Sequence, residues 1–272
     1  MNDTQLESPS TRVDSTSHYH EHGYMVVRSL FSEPELEALR QDVVRLQAEG
    51  RLANLLVHTP SNDSTARAEG AEPPGRVNLQ LCPASPVSDL IHAMRGHPGL
   101  LGTVRELLGD PVRFLLDQIF IKPGLSGAGT DWHQDHAYFA GKDAALGVGM
   151  WTSLQDATIE NGTMRVIPGS HRQAVNHARD PRSDSLIHAQ VDESRAIAIE
   201  LRAGDALFFN FGLLHCTRDN RSQHSRCAVA LHFVHDSYEP PPHWTLATTL
   251  TGPGARVEVA RSSWLAMTHP RT

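Results

Sequence analysis

The spacing of three residues of metal-binding type, His133, Asp135 and His215, constrains this fold more than any other feature of the sequence. The chain must bring the first two to a third that follows about eighty residues later. Two imidazoles and one carboxylate on one side of a metal ion leave positions open for a chelating cosubstrate and dioxygen, as in non-haem Fe(II) oxygenases. One His-x-Asp among 17 histidines is weak evidence, so the prediction depends on all three residues together.

Both segments are predicted to be β strands. Side chains at i and i+2 point to the same face of a strand, so His133 and Asp135 can bind one ion while Gln134 points away. Residues 208–217 predict a further strand, and residues 226–234 predict its antiparallel partner in a hairpin.

The predicted hairpin places His215 opposite Arg226, with Cβ atoms roughly 5 Å apart. An arginine fork matches the two oxygens of a carboxylate, and the anion implied beside such a metal is the far carboxylate of 2-oxoglutarate. Thr217 lies on the same face as His215, where its hydroxyl can donate to that carboxylate. Ala228 and Ala230 alternate with Arg226 on its own face and leave room for a cosubstrate.

Four segments between about residues 112 and 235 resemble the phytanoyl-CoA dioxygenase family in their order and spacing. They are residues 119–123, 133–139, 161–171 and 204–226. This family is a branch of the Fe(II)/2-oxoglutarate oxygenases. The resemblance implies a mainly β fold with flanking helices, built on a double-stranded β-helix, or cupin-like jelly roll. Short β-rich runs punctuated by Gly, Pro and Asn from residue 112 onward favour the same fold.

The resemblance implies that His133, Asp135 and His215 bind Fe(II) as the catalytic metal. It also implies that Arg226 and Thr217 bind the far carboxylate of the cosubstrate 2-oxoglutarate, with dioxygen as the second cosubstrate.

Further site residues follow from the same resemblance by position. Two residues are expected to contact the cosubstrate. They are Trp151, which lies eighteen positions after the first ligand, and Gln118, which lies on the strand before that ligand. Arg76 is a looser match to a basic residue of the family. His136 and Tyr138 are either substrate contacts or ordinary packing residues at the rim.

Hydroxylation of a C–H bond is the default reaction implied, with ring closure, desaturation and epimerisation as variations. Halogenases of the superfamily lack the carboxylate ligand, so Asp135 argues against halogenation. Three alternatives stay open: a cupin-like metal isomerase or lyase that does not use 2-oxoglutarate, a non-catalytic metal-binding protein, and an oxygenase that acts on protein side chains. Without an evident basic platform for a coenzyme A phosphate, the expected substrate is a small, partly apolar metabolite of a specialised biosynthetic pathway.

Composition predicts one domain. A chain of 272 residues that is 39% hydrophobic and 20% charged is within the ordinary range for one β-rich globular domain. A net charge of −7 argues against a nucleic-acid surface. No segment approaches the roughly 20 apolar residues of a membrane span. The sequence does not indicate an oligomeric state.

The cysteines indicate a reducing compartment, and we expect the cytoplasm. Cys82, Cys216 and Cys227 form an odd set without a Cys-x-x-Cys pair and are expected to be buried thiols. Cys216 and Cys227 have the opposite strand parity to the site residues next to them. His232 shares the parity of Arg226 and is expected to be an interior histidine with a partner.

The chain is predicted to divide into a disordered start at 1–16 and a single oxygenase domain at 17–272. Within the domain we expect a helical part at about 32–108, a jelly-roll core at about 112–235 and an extension at 236–272 that has no assigned structure. The helices are expected at about 32–47, 88–92 and 98–108, and the small, charged and Pro-rich residues of 50–75 are expected to form a lid.

Overall fold

Two antiparallel β sheets carry the fold of this computed structural model, which describes residues 15–56, 76–139, 143–179, 186–239 and 249–252. The helices are α1 (Thr16–His22), α2 (Glu33–Ala48), α3 (Asp89–Met94), α4 (Pro98–Leu108) and α5 (Asp135–Phe139). The strands are β1 (Tyr24–Val27), β2 (Ala53–Asn54), β3 (Leu79–Leu81), β4 (Val112–Lys122), β5 (Thr130–His133), β6 (Gly147–Ser153), β7 (Met164–Val166), β8 (Ala178–Arg179), β9 (Ile187–His188), β10 (Ile197–Ala198), β11 (Ala206–Asn210), β12 (His215–Thr217) and β13 (Arg226–His235).

The large sheet has the strand order β1-β11-β6-β13-β4-β3-β2, and the small sheet has the order β10-β7-β12-β5. Strands β8 and β9 form a separate pair. The mainly β architecture with a jelly-roll core is therefore confirmed.

The three predicted helices are present as α2, α3 and α4. Helix α2 begins after Ser32, whose backbone N–H and hydroxyl both donate to a carboxylate oxygen of Glu35, at 2.7 and 2.8 Å. This arrangement satisfies a backbone donor that the first turn would otherwise leave without a partner. None of the described helices is long and apolar enough to cross a bilayer.

Strand β13 separates two packing layers. Its odd-numbered residues, such as Val229 and Leu231, belong to the core that the large sheet forms with the helices. Its even-numbered residues Ala228 and Ala230 belong to the core between the sheets. Because side chains alternate across a strand, Arg226 also faces the inside of the jelly roll.

The predicted hairpin between residues 208–217 and 226–234 is wrong. The first segment is two strands, β11 in the large sheet and β12 in the small one, and the chain changes sheets at residues 211–214. Asn210 supports this turn, since its side-chain oxygen accepts the N–H of Gly212 at 2.8 Å. Strand β12 pairs with β5 and β7, whereas β13 pairs with β4 and β6.

Several predicted segments lie wholly or partly outside the described residues. Of the predicted disordered start at 1–16, residues 1–14 lie outside them, and helix α1 begins at Thr16, the last position of that segment. The expected lid at 50–75 is described only as far as residue 56. Of the extension at 236–272, residues 236–239 and 249–252 are described, and Leu250 N–H donates to the Val112 carbonyl at 2.8 Å.

Two of the three cysteines are the buried thiols that the sequence predicts. Cys216 and Cys227 are buried and free, while Cys82 is exposed, contrary to the prediction. Burial raises the pKa of both the Cys216 and the Cys227 thiols to about 12, so neither is a ready nucleophile.

Candidate metal centre and cosubstrate cavity

The pairing of β5 with β12 brings the three predicted metal ligands together. His215 is the register partner of His133, and the ligand atoms of these residues and Asp135 all lie within 4.8 Å of one another. One oxygen of Asp135, Oδ1, is 3.7 Å from Nε2 of His133 and 3.6 Å from Nε2 of His215. The expected strand geometry at Asp135 is wrong, because β5 ends at His133 and Asp135 begins helix α5.

Backbone carbonyls orient both imidazoles toward one point. Nδ1 of His133 donates to the Asp131 carbonyl at 2.7 Å, and Nδ1 of His215 donates to the Leu213 carbonyl at 2.9 Å. In the neutral imidazole this hydrogen bond leaves the lone pair on Nε2, which is the form that binds a metal. Burial, together with the charge of His215, lowers the pKa of His133 to about 3, so this imidazole is neutral at pH 7.

His232 completes the surroundings of the carboxylate, a role that the sequence did not predict. Its Nε2 donates to Oδ2 of Asp135 at 3.0 Å, and the residue is 3% exposed. The sequence prediction of an interior histidine with a partner is thus confirmed, and the partner is a metal ligand. Burial opposes ionisation of Asp135, but the charge of His215 and this hydrogen bond hold its pKa below the usual range.

The donor set fits a divalent iron ion. Two imidazole nitrogens and one ionised carboxylate oxygen are grouped at one side of a cavity of about 450 Å³. Such a set occupies one face of an octahedral metal and leaves the cavity side free. The residue between the first two ligands, Gln134, points elsewhere and donates to the carbonyls of Gln173 and Gly212.

Arg226 lines the same cavity from the large sheet. Its side chain is 1% exposed, its Nη2 donates to the Gly162 carbonyl at 3.0 Å, and its Nε has no hydrogen-bond partner among the described residues. The guanidinium carbon lies 5.2 Å from the centre of the Trp151 ring. Burial lowers the pKa of Arg226 to about 10, and the group stays charged at pH 7. His215 and Arg226 thus share a cavity, although not a strand pair.

Lys122 is a second buried cation at this end of the cavity. It is 2% exposed, and its Nζ donates to the Thr217 hydroxyl and to the Arg218 carbonyl, both at 2.6 Å. From the sequence, Lys122 is only part of a segment that resembles the family. The alternation of Gln118, Phe120 and Lys122 on the cavity face of β4 is the signal that identifies it.

The other expected site residues divide into two groups. Gln118, Trp151 and Tyr138 line the cavity. Arg76 and His136 lie outside its described lining, and Arg76 forms an ion pair with Asp219 in a neighbouring polar cleft.

Gln118 and Tyr138 are both held in place. Gln118 accepts a 2.5 Å hydrogen bond from Gln80 on the adjacent β3. The Tyr138 hydroxyl accepts the Ile187 N–H at 3.2 Å, and its ring stands edge-on to His133.

Comparison with known proteins supports the same kind of site. The sequence profile of phytanoyl-CoA dioxygenase (PhyH) matches residues 19–228. A probable phytanoyl-CoA dioxygenase of Caenorhabditis elegans is 25% identical over 232 residues, which cover 80% of this chain and 73% of the relative. The L-proline trans-4-hydroxylase of Streptomyces griseoviridis is 24% identical over 242 residues, which cover 80% and 85%.

Solved structures show the same fold. The crystal structure of a non-haem 2-oxoglutarate-dependent carbocyclase, SnoK from nogalamycin biosynthesis, superimposes with a TM-score of 0.68 at 20% identity and covers 90% of this chain and 97% of that one.

The metal ligands and the family match together define the class of protein: a non-haem Fe(II) oxygenase that uses 2-oxoglutarate and dioxygen. His133, Asp135 and His215 are its iron-binding triad. Because the family profile spans most of the chain, this chain belongs to the phytanoyl-CoA dioxygenase family.

Proposed function

We propose that this oxygenase oxidises a C–H bond of a small, partly apolar metabolite, with hydroxylation as the default outcome. The observation that carries the proposal is the wall of the cavity beside the iron ligands. It is formed largely by apolar and aromatic side chains: Leu116, Phe120, Tyr138, Phe139, Met164 and Leu186. A mostly apolar cavity with a few polar groups is typical of a small-molecule site.

The charges of the cavity favour an uncharged substrate. Among the described residues that line it, the acidic and strongly basic ones are Asp135 at the metal and Lys122 and Arg226 at the far end. Burying a charge without a partner is unfavourable, so the part of a substrate that contacts the apolar wall is expected to be neutral.

The chain's own residues are proposed to position the reactants. Iron and 2-oxoglutarate, when bound, supply the oxidising chemistry. Arg226 and Thr217 bind the far carboxylate of the cosubstrate, and Trp151 and Gln118 line its path to the metal. Tyr138, fixed through its hydroxyl, limits where the substrate lies next to His133.

Ring closure, desaturation and epimerisation remain compatible with this site, because the position of the substrate decides which bond forms after hydrogen abstraction. A protein with this fold is a carbocyclase of nogalamycin biosynthesis. We propose a role in specialised metabolism by analogy, and a cytoplasmic location because the cysteines are free thiols.

The cofactor assignment is tested by adding Fe(II) and 2-oxoglutarate to the metal-free protein without oxygen and recording the visible charge-transfer band. Asp135→Ala is expected to lose the band and all turnover. Arg226→Met is expected to keep the band but to need roughly 10- to 100-fold more 2-oxoglutarate, the effect of losing a charge-assisted hydrogen bond. The exposed Arg202→Met is the matched control. A normal band in Asp135→Ala would disprove the ligand set.

The substrate class is tested with a panel of neutral metabolites, amino acids, acyl-coenzyme A thioesters and peptides. Succinate formation and a product 16 Da heavier than the substrate are measured by mass spectrometry. An increase in succinate formation with neutral, partly apolar compounds supports the proposal. An increase only with acyl-coenzyme A thioesters or with peptides would overturn it.

A further inference from the structure

The buried pair formed by Lys122 and Arg226 is electrostatically unfavourable by itself. The two residues are register partners on β4 and β13, and both face the cavity. Like charges directly opposite each other on paired strands destabilise a sheet. Burial of a cation adds a further penalty unless an anion or strong hydrogen bonds offset it. The fold therefore holds two like charges together at the inner end of the cavity.

No carboxylate among the described residues neutralises this pair. Lys122 donates to two neutral oxygens, those of Thr217 and the Arg218 carbonyl, and Arg226 donates to the Gly162 carbonyl. The charge of Asp219 acts on Lys122 through space, and the Asp219 carboxylate itself forms an ion pair with Arg76. Burial and then the charge of Arg226 push the pKa of Lys122 well below its usual value. A bound anion would relieve this repulsion and favour the protonated, charged form of Lys122.

Lys122 also determines which way the Thr217 hydroxyl can donate. Thr217 Oγ1 accepts from Lys122 Nζ at 2.6 Å and from the Thr130 N–H at 3.2 Å. A hydroxyl oxygen has two lone pairs and one hydrogen, so these two bonds use its acceptor sites. The remaining hydrogen can go to the Thr130 hydroxyl, 2.8 Å away, or to an anion in the cavity.

We propose that Lys122 is a second positioning residue for the cosubstrate: it adds its charge to that of Arg226 and makes Thr217 a donor to the far carboxylate of 2-oxoglutarate. This inference rests on the proposed role of Arg226 and Thr217. It predicts that Lys122 contributes to binding only when the cosubstrate has a carboxylate at its far end.

The test compares 2-oxoglutarate with 2-oxovalerate, which has the same chain length but ends in a methyl group. Dissociation constants are measured without oxygen from the charge-transfer band of the iron-loaded protein. Lys122→Met removes the charge and the donor, while Lys122→Gln keeps a donor and removes the charge. Arg202→Met controls for the loss of a positive charge at the surface.

Lys122→Met is expected to weaken 2-oxoglutarate binding about 10- to 100-fold, the range of one charge-assisted hydrogen bond, and to change 2-oxovalerate binding less than about twofold. The dissociation constant of Lys122→Gln for 2-oxoglutarate is expected to lie between those of Lys122→Met and the wild type. In the metal-free protein, thermal unfolding of Lys122→Met is expected at the wild-type temperature or above it, because a repulsive charge has been removed.

Equal weakening for both keto acids, or no weakening, would overturn the proposal. A Lys122→Met protein that fails to fold would also overturn it, since Lys122 would then act as a structural residue. Failure of the underlying function looks different: the wild-type protein itself would then give no band with 2-oxoglutarate.

Discussion

At the scale of single residues, the two oxygens of Asp135 have different neighbours. Oδ1 faces the two metal-binding imidazoles, and Oδ2 accepts the hydrogen bond from His232. A carboxylate held in this way offers one oxygen to the metal and keeps its charge. His232 would therefore act on a bound iron ion through Asp135 rather than by direct contact.

Replacement of His232 tests this arrangement. His232→Leu is expected to weaken Fe(II) binding about 10- to 100-fold, the effect typical of losing a hydrogen bond to a metal ligand. His232→Gln keeps an N–H donor and is expected to weaken binding less. The measurement is competition for Fe(II) with a calibrated chelator, with the exposed His224→Gln as the control. Wild-type iron affinity in His232→Leu would show that the hydrogen bond does not support the site.

The sequence predicts the individual residues of the site better than it predicts the pairing of the strands. The metal-ligand types, the arginine and its alternating alanines follow from side-chain chemistry and strand parity, which are local properties. Lys122 was missed as a site residue because its role depends on Arg226 and Thr217, which are distant in sequence and meet it only in the folded sheets.

At the scale of elements, the wrong hairpin prediction shows that the alternation of side chains along a strand does not determine which strands pair. Alternation identifies which side chains share a face, but not which neighbouring strand that face belongs to. The segment 211–214, where the chain changes sheets, has no proline and a single glycine, so the apolar run 206–217 looks continuous in the sequence. His215 and Arg226 still share a cavity because the two sheets of a jelly roll have facing inner surfaces.

Strand β6 supports a metal ligand from the large sheet. Gly149 is the register partner of Phe209, and the Phe209 ring lies 4.8 Å from the His215 ring. A Cβ at Gly149 would approach the Phe209 ring to 2.4 Å. Phe209 is buried and therefore has little room to move away.

Gly149→Ala is accordingly expected to destabilise the protein by about 1–3 kcal/mol, the usual effect of overpacking a core. It should also weaken Fe(II) binding, because a displaced Phe209 moves His215. The control is Gly102→Ala in α4, where a Cβ would meet nothing within 4 Å and should stabilise the helix by about 0.5–1 kcal/mol. Urea unfolding midpoints measure both variants. A Gly149→Ala protein as stable as Gly102→Ala would contradict the close packing.

At the scale of the whole molecule, the two sheets divide the work of the site. Two metal ligands lie on β5 and β12 of the small sheet, with Asp135 just beyond β5, whereas Lys122 and Arg226 lie on β4 and β13 of the large sheet. A cosubstrate that reaches from the iron to Arg226 therefore connects the two layers. This separation explains why composition and local pattern predict the jelly roll but not which strands pair across it.

The acid stability of the metal-free protein depends on histidines that are partly buried, among them His171 and His177. Partial burial lowers the pKa of His171 and His177 from their usual value of 6.5. In His177 the geometry shows the reason: Nδ1 donates to the Val175 carbonyl and Nε2 accepts the Gln134 N–H, so a second ring proton would lose a hydrogen bond. The unfolded chain then binds more protons than the folded one as the pH falls below 6.5.

Stability is therefore expected to fall as the pH is lowered from 7.5 to 5.5, and the urea midpoint of the metal-free protein should be lower at pH 5.5. His177→Asn removes one of the groups responsible. The urea midpoint of this variant should differ less between pH 7.5 and pH 5.5 than that of the wild type, even if the variant is less stable at both pH values. His224→Asn, at an exposed position, controls for the loss of a histidine in general. An equal or higher midpoint at pH 5.5 would mean that the folded protein accepts these protons as readily as the unfolded chain.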